Sequence, residues 1–534
     1  MLTRREMVRA LAGTALLPFF EQLRAQARAG KRRKPMQTTD PTIPEGALPV
    51  PSRATERWNI FELELAGPRD GNPFADVEFS ADFHHLSQAV HVDGFYDGEG
   101  VYRIRFMPDV EGEWSYTTRS NHPDLDGRTG KFTCTPSGPG NHGPVLVGEN
   151  CRFVYADGSR YAPFGTTCYA WIHQPEELQE ETLRTLASSP FNKLRMCIFP
   201  KNYAYNQNEP GVFPYVKKTE GGGFDLRRFD PVFWRNLEHR IAQLRALNIE
   251  ADIILFHPYD EGRWGFDRMD AASDDFYLRY TVARLAAYRN VWWSLANEYD
   301  FMSEKKPEDW DRFFQIVQER DPFHRLRSIH NGVKWYDHNT PWVTHASIQN
   351  PDPCQSARLR QEYHKPIVFD ECMYEGNIES LWGELTPQMM TQRFWEGVMH
   401  GGYVTHGETY VHPKDVLWWS KGGALHGESP KRIAFLSRIL EEAPEDLMPD
   451  TEIFGWESSA IGVMDSPGQY YLIYFGPLQP KRKDLPLPAD SHFAIDVIDT
   501  WNMTTTPMPG TFSGKCRVEL PGKPYIALRI RRLN

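Results

Sequence analysis

The sequence predicts an α/β protein: a (β/α)8 TIM barrel flanked by an N-terminal β-sandwich and a small C-terminal antiparallel β domain. Three observations predict it. Eight short apolar strand candidates lie between residues 161 and 406, most of them separated by amphipathic helical stretches. Short alternating segments divided by turn clusters precede them, and a second β-rich run follows. The 534 residues are 40% hydrophobic and 25% charged, a globular composition with room for about three domains.

The N-terminus reads TRREMVR over residues 3–9, followed by an apolar run from Ala10 to Phe20. This resembles a twin-arginine export signal, with Arg4 and Arg5 as the receptor-read pair. The run is 11 residues long, against roughly 20 needed to span a bilayer. Residues 1–27 are therefore expected to be a signal for the twin-arginine machinery. The mature chain is expected to be periplasmic or secreted, with no stable membrane anchor. Residues 28–52 are basic, then rich in Pro and Thr, and read as a linker.

The formal charge is −11, but residues 35–534 hold 51 basic and 69 acidic side chains. A body that acidic repels phosphate backbones, which argues against a nucleic-acid partner. Seven Cys form no CxxC pair, and their odd number opposes a complete disulfide framework.

Residues 53–140 carry runs such as FELELAG, VYRIRFM and GEWSYTTRS between turns such as YDGEG, the spacing of a β-sandwich. Phe95, Tyr96 and Trp114 either fill its core or bind sugar, and the core reading is favoured. Residues 141–447 follow as the barrel. Its strands are read at 161–167, 191–199, 249–256, 290–296, 326–330, 342–348, 366–370 and 402–406. A doubly wound open sheet is opposed because GTTCYAW after the first strand is no GxGxxG phosphate loop. Residues 448–534, with YYLIYFG, HFAIDVI and YIALRI, read as the C-terminal β domain.

Barrel chemistry belongs at the C-terminal strand ends. Those ends offer Tyr169 and Trp171; Arg195 and Lys201; His257, Tyr259 and Trp264; Asn297 and Glu298; His330 and Asn331; His345; Asp370, Glu371 and Tyr374; and His406 and Glu408. WWSLANEYD closes strand 4 and KPIVFDECMYEGN closes strand 7. This pairing resembles the clan of retaining barrel glycosidases, and ECMYEG resembles the EPxYEG segment of the apiosidase-like barrel family. The order of sandwich, barrel and β tail is similar to that of the same group of glycoside hydrolases. The resemblance implies that Glu298 is the acid/base, Glu371 the nucleophile and Asn297 a partner of the sugar 2-hydroxyl.

Two carboxylates suit glycosidic cleavage, because one must protonate the departing oxygen while the other stabilises or attacks the anomeric carbon. At a separation of about 5 Å no water fits beside the second carboxylate, which then acts as nucleophile. Glu298 is expected to hold its proton near neutral pH, and Arg195 and Tyr374 to orient Glu371. Asp370 is the rival nucleophile, since neighbouring strand residues face opposite sides. Tyr169, Trp171, Tyr259, Trp264 and Trp418 are candidate stacking platforms; His257, His330, His345, His406 and Glu408 are candidate partners of sugar hydroxyls. Strands 6 and 8 depart from the clan by offering His345 and His406 in place of its Tyr and Trp. No cofactor or metal is expected. The competing readings are a non-catalytic carbohydrate-binding barrel and a metal-dependent hydrolase using the four His.

Overall fold

The computed structural model describes residues 52–411, 416–450, 461–465 and 468–533. The expected export signal and nearly all of the linker lie outside these residues.

Alternating apolar positions fold residues 54–135 into two facing sheets. Five strands run in the order 54–56, 129–135, 112–120, 79–85 and 88–93, and three in the order 61–66, 101–106 and 95–96. Their inner faces interdigitate: Phe61 stacks on Phe132 at 3.9 Å and Phe83 on Phe106 at 4.2 Å. Trp114 is fully buried in this core. Phe95 is buried too, against the Arg105 and Arg284 guanidinium groups. These aromatics fill the sandwich and its contact with the barrel.

The barrel strands are β1 (Phe164–Thr167), β2 (Lys193–Cys197), β3 (Glu250–Phe256), β4 (Val291–Ala296), β5 (Arg327–Ser328), β6 (Ala346–Gln349), β7 (Ile367–Glu371) and β8 (Tyr403–His406). All pair in parallel, and the turn of sheet from β5 through β1 to β6 is closed by a parallel bridge between His330 and Ser347. Helices α1 (Glu176–Ala187), α2 (Pro231–Ala246), α3 (Ala271–Leu285), α4 (Pro307–Arg320), α5 (Ser356–Tyr363), α6 (Pro387–Met399) and α7 (Ser429–Glu441) surround them, and β5 connects to β6 without a helix. Local sequence sets several helix starts. Asp230, Asp270 and Thr386 accept backbone N–H groups from Val232, Ser273 and Met389, and Pro231 and Pro387 occupy first turns where no N–H is needed.

Two strand starts differ from the sequence reading by three residues or more. Residues 160–161 belong to a separate three-stranded sheet with 145–147 and 153–155. Its Val145, Phe153 and Tyr161 plug the barrel's N-terminal end against Trp292, Leu326 and Val368. Strand 6 begins at Ala346, so His345 lies at its N-terminal end and Gln349 at its C-terminal end.

The strand interiors also depart from the expectation of apolar bodies. Lys193, Arg195, Asp252 and Asp370 are all fully buried in the barrel. Lys193 pairs with Asp252 at 2.6 Å and with Asp370 at 2.8 Å. Thr405 and Ser347 donate to Asp370 at 2.9 and 2.5 Å. This ionic layer is the floor on which the C-terminal end of the barrel is built.

After α7 the chain forms a six-stranded sheet, 448–449, 461–464, 470–474, 526–532, 493–499 and 504–507 in spatial order, antiparallel throughout. Leu472, Tyr474 and Ile498 join Trp395 and Leu436 of α6 and α7 in one apolar cluster.

Candidate active site

Two carboxylates meet above the ionic floor. Glu298 follows β4 and is 1% exposed; Glu371 ends β7 and is 3% exposed. Glu298 adopts φ 49°, ψ 53°, a left-handed conformation that costs a non-glycine residue about 1–3 kcal/mol and tends to occur where a site dictates side-chain direction. At Glu371 a bulge supplies the direction. Ile348 pairs with Phe369 but Gln349 pairs with Glu371, so Asp370 is an extra residue and strict alternation fails. Asp370 and Glu371 both reach the barrel axis, at different depths, which the rule of opposite faces did not anticipate.

Their environments separate them. Burial pushes the Asp370 carboxyl up, but Lys193 and then Arg195 outweigh it and hold the group far below the ordinary carboxylate range. Asp370 is a neutralised counter-ion of the floor. Glu371 accepts the Tyr169 phenol at 2.5 Å and lies 3.6 Å from His330 Nε2. Burial, then the Glu371 charge, pushes the Tyr169 hydroxyl well above its ordinary 10, so it stays a donor.

Glu298 accepts the Tyr259 hydroxyl and the Gln349 amide, the latter at 3.1 Å. Asn297 Nδ2 approaches it at 3.5 Å, while Asn297 Oδ1 is buried with no hydrogen-bond partner among the described residues. That orphan acceptor is a group a bound hydroxyl would satisfy. Gln349 Oε1 faces His330 Nε2 at 3.3 Å, so one amide and one imidazole join the two glutamates.

Aromatic rings wall the site. Tyr169, Tyr374 and Trp419 cluster with Cys197 and Ile254, and Tyr203, Tyr205 and Trp382 pack around them. Trp419 contacts Tyr374, Tyr203 and Tyr205 at 5.4 Å each. The Lys201 ammonium lies over Tyr169 at 3.9 Å and over Tyr259 at 4.1 Å.

Of the residues read from sequence, Glu298, Glu371, Asn297, Tyr169, Tyr259, His330 and Tyr374 come together here. Arg195 lies one layer below, 3.4 Å from Asp252 and 3.9 Å from Asp370, and reaches the Tyr169 hydroxyl at 3.5 Å. It supports Glu371 through Tyr169. Seven others lie elsewhere. His257 accepts the Tyr259 N–H at Nδ1, which leaves Nε2 to donate to the Phe199 carbonyl; burial, then Lys201, pushes it down to about 3, and it shapes the loop as a neutral ring. His345 packs against Phe153 and Trp292 at the opposite barrel end. His406 stacks on Phe191 in the helix-facing layer, and burial pushes it down to about 3. Trp171 is buried in the large core, its indole on Met196. Trp264 packs beside Phe213 and donates to Glu209. Glu408 accepts the backbone N–H groups of His426 and Gly427 at 2.5 and 2.8 Å. Trp418 donates to Thr166 outside the pocket, leaving the wall to Trp419.

Sequence reading missed Gln349, Trp419, Tyr203, Tyr205 and Trp382. Gln349 carried a usable signal, as the polar residue that directly follows the ASI strand segment. Among the described residues no group of three His, Cys, Asp or Glu is placed to hold a metal ion.

Residues 149–445 match the profile of the apiosidase-like catalytic domain. Residues 54–121 and 456–531 match two domains of unknown function, DUF5060 and DUF5605. No curated protein matches the sequence. A crystal structure from Bacteroides vulgatus ATCC 8482, named provisionally as a glycoside hydrolase, is 42% identical over 90% of this chain and 100% of its own, with a TM-score of 0.86. A family 5 glycoside hydrolase from the same organism shares the fold at 14% identity and a TM-score of 0.57, covering 74% of this chain and 94% of its own. The chain has the fold of a glycoside hydrolase barrel, and it belongs to the apiosidase-like catalytic-domain family.

Proposed function

We propose that this glycosidase is a retaining hydrolase of a poly- or oligosaccharide, with Glu298 as acid/base and Glu371 as nucleophile. The observation that carries the reading is the pair of buried carboxylates at the ends of β4 and β7, each receiving a tyrosine hydroxyl and both tied to the Gln349–His330 pair.

In the first half-reaction Glu298 gives its proton to the departing glycosidic oxygen as the bond to the anomeric carbon breaks, and Glu371 bonds to that carbon. In the second, Glu298 takes a proton from water; the water oxygen bonds to the anomeric carbon and Glu371 leaves as a carboxylate. Tyr169 orients the nucleophile. The Tyr203–Trp419–Tyr374 wall offers ring faces to a sugar, and Asn297 Oδ1 offers an acceptor.

The N-terminal Arg4–Arg5 pair and the short apolar run support export by the twin-arginine route to the periplasm or beyond. Replacing both arginines by lysine would then leave the protein in the cytosol.

Activity separates the two carboxylates. Glu371→Gln is expected to abolish turnover of aryl glycosides, and Glu298→Gln to slow those with poor leaving groups far more than those with good ones. Wild-type rates in both variants on poor leaving groups would sink the assignment.

A further inference from the structure

We propose that Gln349 and His330 are positioning residues that let Glu298 and the His330 ring share one proton, the Gln349 amide turning to match whichever group holds it. The inference rests on Glu298 and Glu371 as the reacting pair and concerns how the acid is kept ready.

Hydrogen counting leads to it. Ser347 spends its hydroxyl hydrogen on Asp370 at 2.5 Å, so toward His330 Nδ1 at 3.1 Å it accepts and the ring donates. Nδ1 carries a hydrogen in every state. On the other side, Gln349 Nε2 donates to Glu298 at 3.1 Å, which turns Oε1 toward His330 Nε2 at 3.3 Å. An amide oxygen only accepts, so Nε2 carries a hydrogen as well. This arrangement is an ionised Glu298 with an imidazolium, Glu371 lying 3.6 Å from the ring.

A half-turn of the amide exchanges its oxygen and nitrogen with almost no change of shape. The oxygen then accepts from a protonated Glu298, and the NH2 donates to a neutral ring. Along the path from Glu298 through Gln349 to His330, either pairing sets a donor against an acceptor at both ends of the amide. A protonated Glu298 with an imidazolium sets two donors on one amide, and an ionised Glu298 with a neutral ring sets two acceptors on it. One proton therefore has two places, Glu298 carboxyl with neutral His330 or Glu298 carboxylate with charged His330. It crosses by way of pocket water, and no other covalent bond changes.

The scaffold holds the Gln349 backbone in place and leaves its side-chain amide able to turn. Gln349 N–H donates to Asn331 Oδ1 at 3.0 Å, and Asn331 Nδ2 donates to the Gln349 carbonyl at 3.2 Å. Charged and titratable groups face the pair from several elements: Glu371 and Asp370 on β7, Lys193 and Arg195 on β2, Lys201 after β2, Tyr259 after β3 and Tyr169 after β1. His338 lies in the connection from β5 to β6, where burial, then Lys365, pushes it down to about 3 and keeps it neutral.

Histidine-selective NMR titration of the full chain tests this, with the ring assigned through His330→Asn. Coupling between two sites is reciprocal, so Glu298→Gln is expected to move the His330 titration midpoint by about 0.5 pH unit or more. With Gln349→Leu already present, the same change is expected to move it by less than half as much. If Gln349→Leu does not fold, Gln349→Asn, one methylene too short to bridge, takes its place. Equal movement in both backgrounds would show direct through-space coupling and overturn the proposal. So would a wild-type ring that stays neutral at every pH the fold survives. Neither result depends on turnover, so the sharing can fail while the two glutamates keep their roles.

Discussion

Tyr169 and Tyr259 each give a phenol hydrogen to one site carboxylate, and this differentiates the site from the charged layer under it, where Asp370 is held by Lys193. A hydrogen bond to an ionised group is worth about 1.5–3 kcal/mol, so Tyr169→Phe is expected to lower kcat/KM roughly 10- to 150-fold, measured on an aryl glycoside. An unchanged kcat/KM would remove Tyr169 from the mechanism. Both glutamates and both tyrosines were legible in the sequence, because each lies at a strand end beside a motif with a chemical reason for its residue types. Neighbours in sequence were harder to separate. Trp418 and Trp419 differ only in which way a four-residue helix turns them, one toward Thr166 and the other into the pocket. Gln349 was hidden by a strand limit placed too early, which credited His345 with the strand's C-terminal end. His345 in fact meets Phe153, far along the chain, in a plug that no local pattern announces.

At the scale of elements, the eight barrel strands are legible as short β-rich runs set mostly between amphipathic stretches, whereas their ends depend on partners. The bulge at Asp370 arises from the register between β6 and β7, and it lets consecutive acidic residues serve as counter-ion and site carboxylate. A second device joins the loops after β7 and β8 to α7. Glu375 and Glu408, paired in a two-residue parallel bridge, accept the four backbone N–H groups of residues 426 to 429. Gly427 is required there, since an added Cβ would lie 2.6 Å from both carboxylates. Burial, with a contribution from Glu375, pushes the Glu408 carboxyl from 4.5 up to about 7. The folded state therefore binds this proton more tightly than the unfolded chain. Its stabilising contribution is complete below pH 4.5 and is lost as pH rises through about 7. The melting temperature of the wild type relative to Glu408→Gln is expected to fall across that interval; a constant difference would show that Glu408 does not titrate there. Sequence reading placed Glu408 at the sugar because a strand end was its only visible context.

For the molecule as a whole, the sandwich is fixed to the barrel by buried charge. Glu238 of α2 pairs with Arg105 of the sandwich at 2.7 Å and with Arg284 of α3 at 2.6 Å, and Arg284 reaches Asp97 of the sandwich at 2.8 Å. Removing one partner strands buried charge at a cost of about 3–5 kcal/mol. Glu238→Ala is thus expected to lower the free energy of urea unfolding by about that amount while leaving kcat/KM unchanged at permissive temperature. A loss below about 1 kcal/mol, the scale of an exposed pair, would contradict the buried network. Sequence patterning revealed the three β-rich and barrel regions, but not this network, because its members lie in separate domains and each alone reads as a surface charge. Glu298 and Glu371 are likewise distant in sequence, 73 residues apart, and their joint action is what the proposed mechanism requires. The most direct measurement is the anomeric configuration of the first-formed product, followed by 1H NMR during hydrolysis of a cleavable aryl glycoside before mutarotation. Double displacement through Glu371 predicts that the product keeps the configuration of the substrate; an inverted first product would contradict it.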